Sequence, residues 1–179
     1  LEIMEANAGR IGVLVSSAIG GIKSLSDAVI TNFTEGPRRV SPFLIPMMIS
    51  DSAAGMIAIR IGARGPNMSI ATACASGNNA IGEALEILRR GSADAMIAGA
   101  SEAGIVSIAM AGLNVMGALS TRNDDPLTAS RPFDKDREGF MMGEGSGILI
   151  LETLEYAQAR GANILAELSG YGTTDDAYH

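Results

Sequence analysis

Short apolar runs of strand length alternate with longer helical patterns along most of this 179-residue chain. The first run covers residues 11–15, and a helical pattern then starts at Gly20-Gly21 and ends at Gly36-Pro37. Strands that alternate with helices are typical of βαβ units, in which parallel strands are buried between helices. The pattern therefore predicts the α/β class, with a mostly parallel buried sheet and layered helices.

The clearest βαβ unit lies in the middle of the chain. Residues 67–73 read as a strand and residues 94–99 as the return strand. Between them, Ile81 and Leu88 share one face of a helix that should end at Gly91. Elsewhere the sequence predicts helices at 47–61, 106–116 and 154–160, strands at 145–152 and 165–172, and a long polar loop at 120–138.

Composition limits what the chain can bind. The residues are 47% hydrophobic but only 4% aromatic, with no Trp and 10 Met, so the interior must consist mainly of aliphatic side chains. The length indicates one domain. A net charge of -7 argues against general nucleic-acid binding, because neutralising phosphates requires a surplus of Lys and Arg.

The most apolar stretch, residues 95–119, is long enough to span a bilayer but contains Glu102. A charge near the middle of a span costs about 2.5 to 3.5 kcal/mol to insert, so we interpret the stretch as buried core and expect no membrane association. A single Cys excludes an intrachain disulfide and fits the cytoplasm or an organelle interior. With one His and one Cys, neither a metal site nor a cofactor is predicted.

The single cysteine, Cys74, lies where a predicted strand meets a predicted helix. Unpaired backbone N–H groups and the positive end of the helix dipole favour a thiolate at such a position, and a thiolate is a good nucleophile toward thioesters. The neighbours of Cys74 are small, so a substrate can approach it closely. From these residues alone, a buried small hydrophobic side chain is an equally good interpretation.

The segment Thr-Ala-Cys-Ala-Ser-Gly at 72–77 resembles the nucleophile segment of elongating β-ketoacyl-[acyl-carrier-protein] synthases of the synthase II type. Further segments occur in the family's order, namely Gly-Pro-Asn at 65–67, Ala-Gly-Ala-Ser-Glu at 98–102, Ala-Leu-Ser-Thr-Arg-Asn at 118–123, Ser-Arg-Pro-Phe-Asp at 130–134 and Met-Gly-Glu-Gly-Ser-Gly at 142–147. The resemblance covers essentially the whole chain. It implies a thiolase-like fold.

The resemblance also implies an activity. In this family the residue matching Cys74 accepts an acyl chain from a thioester. A malonyl unit on acyl carrier protein then loses carbon dioxide and attacks the acyl group on the enzyme in a Claisen condensation. Two histidines and a lysine that support condensation in the family match no residue of this chain, so we expect acylation at most. Residues 1–179 are interpreted as one partial ketosynthase domain, truncated at both ends, of an enzyme that acts as a homodimer.

Other residues receive roles only from the resemblance. Ile19, Leu44 and Leu113 match positions that line the family's acyl channel, and ordinary core packing is the alternative. Asp176 and His179 match a loop at the gate of the acyl pocket.

Arg38 and Arg39 follow a Gly-Pro turn and are candidates for contact with the acidic acyl carrier protein, with a solvated turn as the alternative.

Three other functions remain open for the chain as a whole. It could belong to a polyketide ketosynthase, to a thiolase or another acyltransferase of the same fold, or to a non-catalytic partner subunit, although such subunits usually lack the cysteine.

Overall fold

The computed structural model describes residues 1–178, which divide into two compact units. Of the described residues, the first unit contains 1–20, 49–102 and 146–178, and the second contains 21–48 and 103–145. The described strands are β1 (Ile11–Ser16), β2 (Asn67–Met68), β3 (Ala95–Glu102) and β4 (Gly145–Glu152). The α-helices are α1 (Ile22–Glu35), α2 (Leu44–Met48), α3 (Ser52–Ile61), α4 (Ser76–Arg89), α5 (Ser107–Val115) and α6 (Leu154–Ala159).

The four strands form one sheet in the order β2-β1-β3-β4, and β1 is parallel to both β2 and β3. The N–H of Thr153 donates to the carbonyl of Asp94, whereas Gly147 lies against Gly99. Residue numbers therefore decrease along β4 in the direction in which they increase along β3, so β4 is antiparallel to β3. The predicted α/β class with a mostly parallel sheet is confirmed, but most residues of β4 are exposed rather than buried.

The core of the first unit is built on both faces of β1, whose six residues are all buried. Leu14 faces the same cluster as Ala80, Ala84 and Ile87 of α4. On the opposite face, Val13 and Val15 pack with Ala54 of α3, as expected from the alternation of side chains along a strand. The alanines let both helices lie close to the sheet, which gives a helix-sheet-helix layering.

The prediction of one helix over 47–61 is wrong. Two helices occupy this region, α2 and α3, and a turn at Ser50-Asp51 separates them. Ser and Asp bond readily to nearby backbone and so favour helix starts over helix interiors. Pro46 fits within the first turn of α2 because the N–H groups there have no intrahelical acceptor, so a residue without an N–H loses no hydrogen bond.

Two predicted strands also differ from the structure. The strand expected at 67–73 ends at Met68, because the N–H of Ile70 donates to the Ser16 side chain and the chain then turns. No strand is assigned over 165–172, where Tyr171 instead packs on α4. The predicted elements at 11–15, 94–99, 106–116, 145–152 and 154–160 agree with the structure to within a few residues.

Candidate functional site

Cys74 is exposed in a turn that lies immediately before α4. The preceding residue, Ala73, has a φ of 50°, a left-handed conformation that costs a residue with a side chain roughly 1–2 kcal/mol. Such a conformation persists only where surrounding contacts hold it. The turn that presents Cys74 is therefore held in a strained conformation by its surroundings and is not a relaxed loop.

The contacts that hold this turn come mainly from Ser76, the first residue of α4, whose side chain is buried. Its hydroxyl accepts the N–H of Thr72 at 2.9 Å and donates to the carbonyl of Ala73 at 2.7 Å. The backbone N–H of Ser76 also donates to the same carbonyl, at 3.1 Å. One serine thus ties together the two residues that precede Cys74.

Backbone N–H groups at the start of α4 lie close to Cys74 along the chain. Within residues 1–178, nothing accepts the N–H groups of Cys74, Gly77 and Asn78. The first N–H groups of a helix lack intrahelical acceptors and favour a developing negative charge. Among the chemistries available to an exposed thiol here, nucleophilic attack on a carbonyl is favoured, because free donors can stabilise the resulting oxyanion.

A second set of polar contacts supports the turn from the far end of the chain. The Thr72 hydroxyl donates to Asn79 Oδ1 at 2.6 Å, and Asn79 Nδ2 donates to the Tyr171 hydroxyl at 2.7 Å. The Tyr171 ring lies against Gly82 of α4, where an added Cβ would stand 2.0 Å from the ring. Sequence reasoning missed Asn79 and Tyr171, since residues 92 apart leave no local pattern.

The turn lies at the edge of the sheet where the parallel strands end. Ser16, the last residue of β1, accepts the N–H of Ile70 at 3.0 Å, and a Cβ on Gly77 would contact Ala100 of β3 at 3.3 Å. Ligands of open α/β sheets bind at this edge. Ile19, one of the predicted channel residues, is 44% exposed in the loop that follows β1 at the same edge.

The second unit contains four other predicted residues. Leu44, which is half-buried, and Arg39 both line an open cleft of about 230 Å³ beside α1. Arg38 and Arg39 form an exposed 3-10 turn, and Arg39 is 3.5 Å from Glu35. Leu113 is half-buried on α5.

The predicted gate loop is described only in part. The Asp176 carboxylate accepts the N–H of Tyr178 at 3.0 Å. The prediction for His179 lies outside the described residues.

Asp94, a carboxyl group of the first unit with a shifted pKa, directly precedes β3, at the end of that strand opposite to Cys74. Arg10 donates to Asp94 through two nitrogens at 2.6 and 3.1 Å, and these hydrogen bonds lower the pKa of Asp94 below its ordinary value. Among residues 1–178, no cluster of His, Cys, Asp and Glu is placed to hold a metal ion. Within the same residues, every helix is too short or too polar to cross a membrane.

Two solved ketosynthase structures share this arrangement. A ketosynthase in complex with its acyl carrier protein, from a type II polyketide system, has a TM-score of 0.91, is 36% identical and matches 99% of this chain and 45% of its own. The ishigamide ketosynthase/chain length factor has a TM-score of 0.86, is 32% identical and matches 99% of this chain and 43% of its own. These likenesses confirm the thiolase-like fold.

Sequence comparison identifies the family. The model of the β-ketoacyl synthase N-terminal domain matches residues 2–157, so the chain belongs to the β-ketoacyl synthase family. It is 58% identical to 3-oxoacyl-[acyl-carrier-protein] synthase 2 of Synechocystis sp. and 57% identical to the protein of that name from Staphylococcus aureus, over all 179 residues. The chain spans 43% and 44% of their lengths. The family assignment made from the motif segments is thus confirmed.

Proposed function

We propose that this chain is the acyl-accepting part of a 3-oxoacyl-[acyl-carrier-protein] synthase that elongates fatty acids, with Cys74 as the nucleophile. The observation that carries the proposal is an exposed thiol in a held turn, followed in the chain by backbone N–H groups that have no acceptor among residues 1–178, in a chain of this family. The names of relatives that are 57–58% identical support fatty acid elongation as the process.

The first half of the reaction is acyl transfer. The Cys74 thiolate attacks the carbonyl carbon of an acyl thioester, and the carbonyl electrons move onto oxygen, near the N–H groups of Cys74 and Gly77. When the oxyanion collapses, the bond to the carrier sulfur breaks and the carrier thiol leaves with a proton. The acyl chain is then held on Cys74 as a new thioester.

The second half is decarboxylative condensation. A malonyl thioester loses carbon dioxide, and the electron pair of the broken carbon–carbon bond forms an enolate. The enolate carbon attacks the acyl-Cys74 carbonyl, a new carbon–carbon bond forms, and the Cys74 thiolate leaves. We assign no residue of this chain to decarboxylation, so we expect residues 1–179 alone to be acylated without condensing.

Channel residues form a further part of the proposal. Ile19 lies at the same sheet edge as the turn that carries Cys74 and leaves 44% of its surface exposed, which supports contact between Ile19 and an acyl chain. The channel roles of Leu44 and Leu113 and the gate role of Asp176 stay predictions from the resemblance. Ordinary core packing is the alternative for the three channel residues, Ile19, Leu44 and Leu113.

Acyl carrier protein is the proposed partner. The neighbouring polyketide ketosynthase was solved in complex with an acyl carrier protein, and Arg38 and Arg39 are exposed side by side in this chain. A pair of exposed guanidinium groups suits an acidic protein surface. Arg39 also pairs with Glu35, which leaves Arg38 as the better candidate.

A homodimer is also proposed, with residues 1–179 as part of a single ketosynthase domain. β2 is the outermost strand of the sheet and both of its residues are exposed, so its outer edge can pair with a second copy. We place the protein in the cytoplasm or an organelle interior, where a free cysteine stays reduced.

Polyketide synthesis is the second candidate process, because the ketosynthase with a TM-score of 0.91 comes from a type II polyketide system. The higher identity to the two fatty acid synthase relatives favours fatty acid elongation. A thiolase or another acyltransferase of the same fold is the remaining alternative.

The test uses this chain joined to the remaining part of the Synechocystis relative, referred to below as the completed enzyme. It is given acyl and malonyl carrier protein, and release of carbon dioxide and formation of a 3-oxoacyl product are followed together. Stoichiometric release and product formation support the proposal. Turnover of polyketide intermediates alone would favour the second candidate, and exchange of acyl groups without decarboxylation would favour a thiolase or other acyltransferase.

A further inference from the structure

Glu102, the last residue of β3, receives the hydrogen-bond donors of the loop that follows β1. Its Oε2 accepts the N–H of Ala18 at 2.8 Å and the N–H of Ile19 at 3.3 Å. The Ser17 hydroxyl lies 3.1 Å from Oε1 and also accepts the N–H of Gly20 at 2.8 Å. One carboxylate thus fixes the backbone of residues 17–20, a segment referred to below as the Glu102-bound loop.

These contacts hold the backbone and leave one side chain free. Hydrogen bonds to a carboxylate are about twice as strong as neutral ones, so the loop is held firmly. Ser17 is 9% exposed, whereas Ile19 is 44% exposed although its N–H is bonded. The loop therefore presents a large aliphatic side chain from a fixed backbone position, without using it to fill the core of the first unit.

The Glu102-bound loop lies at the sheet edge that carries the thiol turn. Ser16, which directly precedes the loop, accepts the N–H of Ile70, and Ala100, two residues before Glu102, lies against Gly77. The loop and the Cys74 turn are thus anchored on the ends of the same two strands, β1 and β3. The exposed side chain of Ile19 and the thiol of Cys74 therefore belong to the same edge of the sheet.

We propose that Glu102 is a positioning residue that fixes the Glu102-bound loop and thereby sets how far Ile19 extends into the acyl site. The inference rests on the proposed function of Cys74 and adds a determinant of acyl-chain length to it. Removal of the carboxylate frees the backbone of residues 17–20, and Ile19 can then withdraw. Long acyl chains should benefit from this withdrawal and short chains should not, because short chains do not reach Ile19.

The test measures rates of Cys74 acylation in the completed enzyme with butyryl-, octanoyl- and palmitoyl-coenzyme A. For Glu102→Ala, the ratio of the palmitoyl rate to the butyryl rate should rise about tenfold. For Glu102→Gln, whose amide oxygen can still accept from Ala18 and Ile19, the ratio should stay within about twofold of the original. Should Glu102→Ala fail to fold, Ser17→Ala removes one contact of the carboxylate and should raise the ratio by a smaller factor.

A second background separates positioning from a general loss of structure. In Ile19→Ala the side chain that limits length is already gone, so adding Glu102→Ala should leave the ratio unchanged. An equal fall in all three rates for Glu102→Ala, or a ratio change that persists in the Ile19→Ala background, overturns the role of Glu102. If the unsubstituted enzyme is not acylated on Cys74 at all, the proposed function itself fails.

Discussion

Substitution of Ser76 by Ala should slow acylation of Cys74 although residue 76 does not touch the substrate. The Ser76 hydroxyl accepts from Thr72 and donates to Ala73, and its side chain is buried. Alanine makes neither contact and is close to serine in size. The change therefore removes two hydrogen bonds from the turn and alters its packing little.

The size of the effect follows from these contacts. Each hydrogen bond contributes about 1 kcal/mol net, so the turn loses about 2 kcal/mol. The left-handed conformation of Ala73, at φ 50°, costs roughly 1–2 kcal/mol, and the chain can relieve this cost once Ser76 no longer holds the turn. At about 1.4 kcal/mol per factor of ten, the rate of acylation should fall about thirtyfold.

The assay compares second-order rates of acylation by octanoyl-coenzyme A in the completed enzyme, with circular dichroism as the check on folding. Ser69→Ala is the matched control, because the buried Ser69 hydroxyl has no hydrogen-bond partner among residues 1–178 and lies five positions before Cys74. Ser69→Ala should change the rate less than about twofold. A folded Ser76→Ala enzyme that reacts as fast as the control would show that Ser76 does not hold Cys74 in its reactive position.

Three further predictions concern other parts of the chain. Replacing Arg38 and Arg39 with Glu should raise the apparent KM for carrier-bound acyl substrate several-fold and spare acyl-coenzyme A; equal effects on both would exclude carrier contact. Because Arg10 lowers the pKa of Asp94, this pair stabilises the fold at neutral pH and the stabilisation is lost as pH falls below the ordinary value of 3.8. Asp94→Asn should therefore melt lower at pH 7 and show a shallower fall in melting temperature on acidification; identical pH profiles would contradict this. Ile19→Phe should lower the palmitoyl-to-butyryl ratio of acylation rates at least about tenfold, and an unchanged ratio would remove Ile19 from the channel.

Much of the first unit could be predicted from the sequence, because its strands and α4 carry long, regular apolar patterns. Ile81 and Leu88 mark one face of α4, and the apolar run at residues 11–15 matches the burial of β1. The strand predicted through Ala73 failed for a tertiary reason. The Ser16 side chain accepts a hydrogen bond from the N–H of Ile70. The two residues are 54 apart in sequence, so no local pattern indicates that contact.

The candidate site was predictable only in part. The position of Cys74 before a helix followed from local pattern, and the motif segments indicated the family. The support of the turn by Asn79 and Tyr171 depends on space left by Gly82, and sequence alone does not show which ring fills such space. Glu102 is the last residue of the Ala-Gly-Ala-Ser-Glu motif. Its hydrogen bonds to residues 17–20 depend on the register between β1 and β3, which the motif does not reveal.

The role of Cys74 as the nucleophile is tested by measuring the mass of the completed enzyme after incubation with octanoyl-coenzyme A, followed by peptide mapping. We expect one octanoyl group on the peptide that contains Cys74, released by hydroxylamine because it is a thioester, and none on that peptide in Cys74→Ser. An octanoyl group at another residue, or equal acylation of the Cys74→Ser enzyme, would contradict the assignment of Cys74 as the nucleophile.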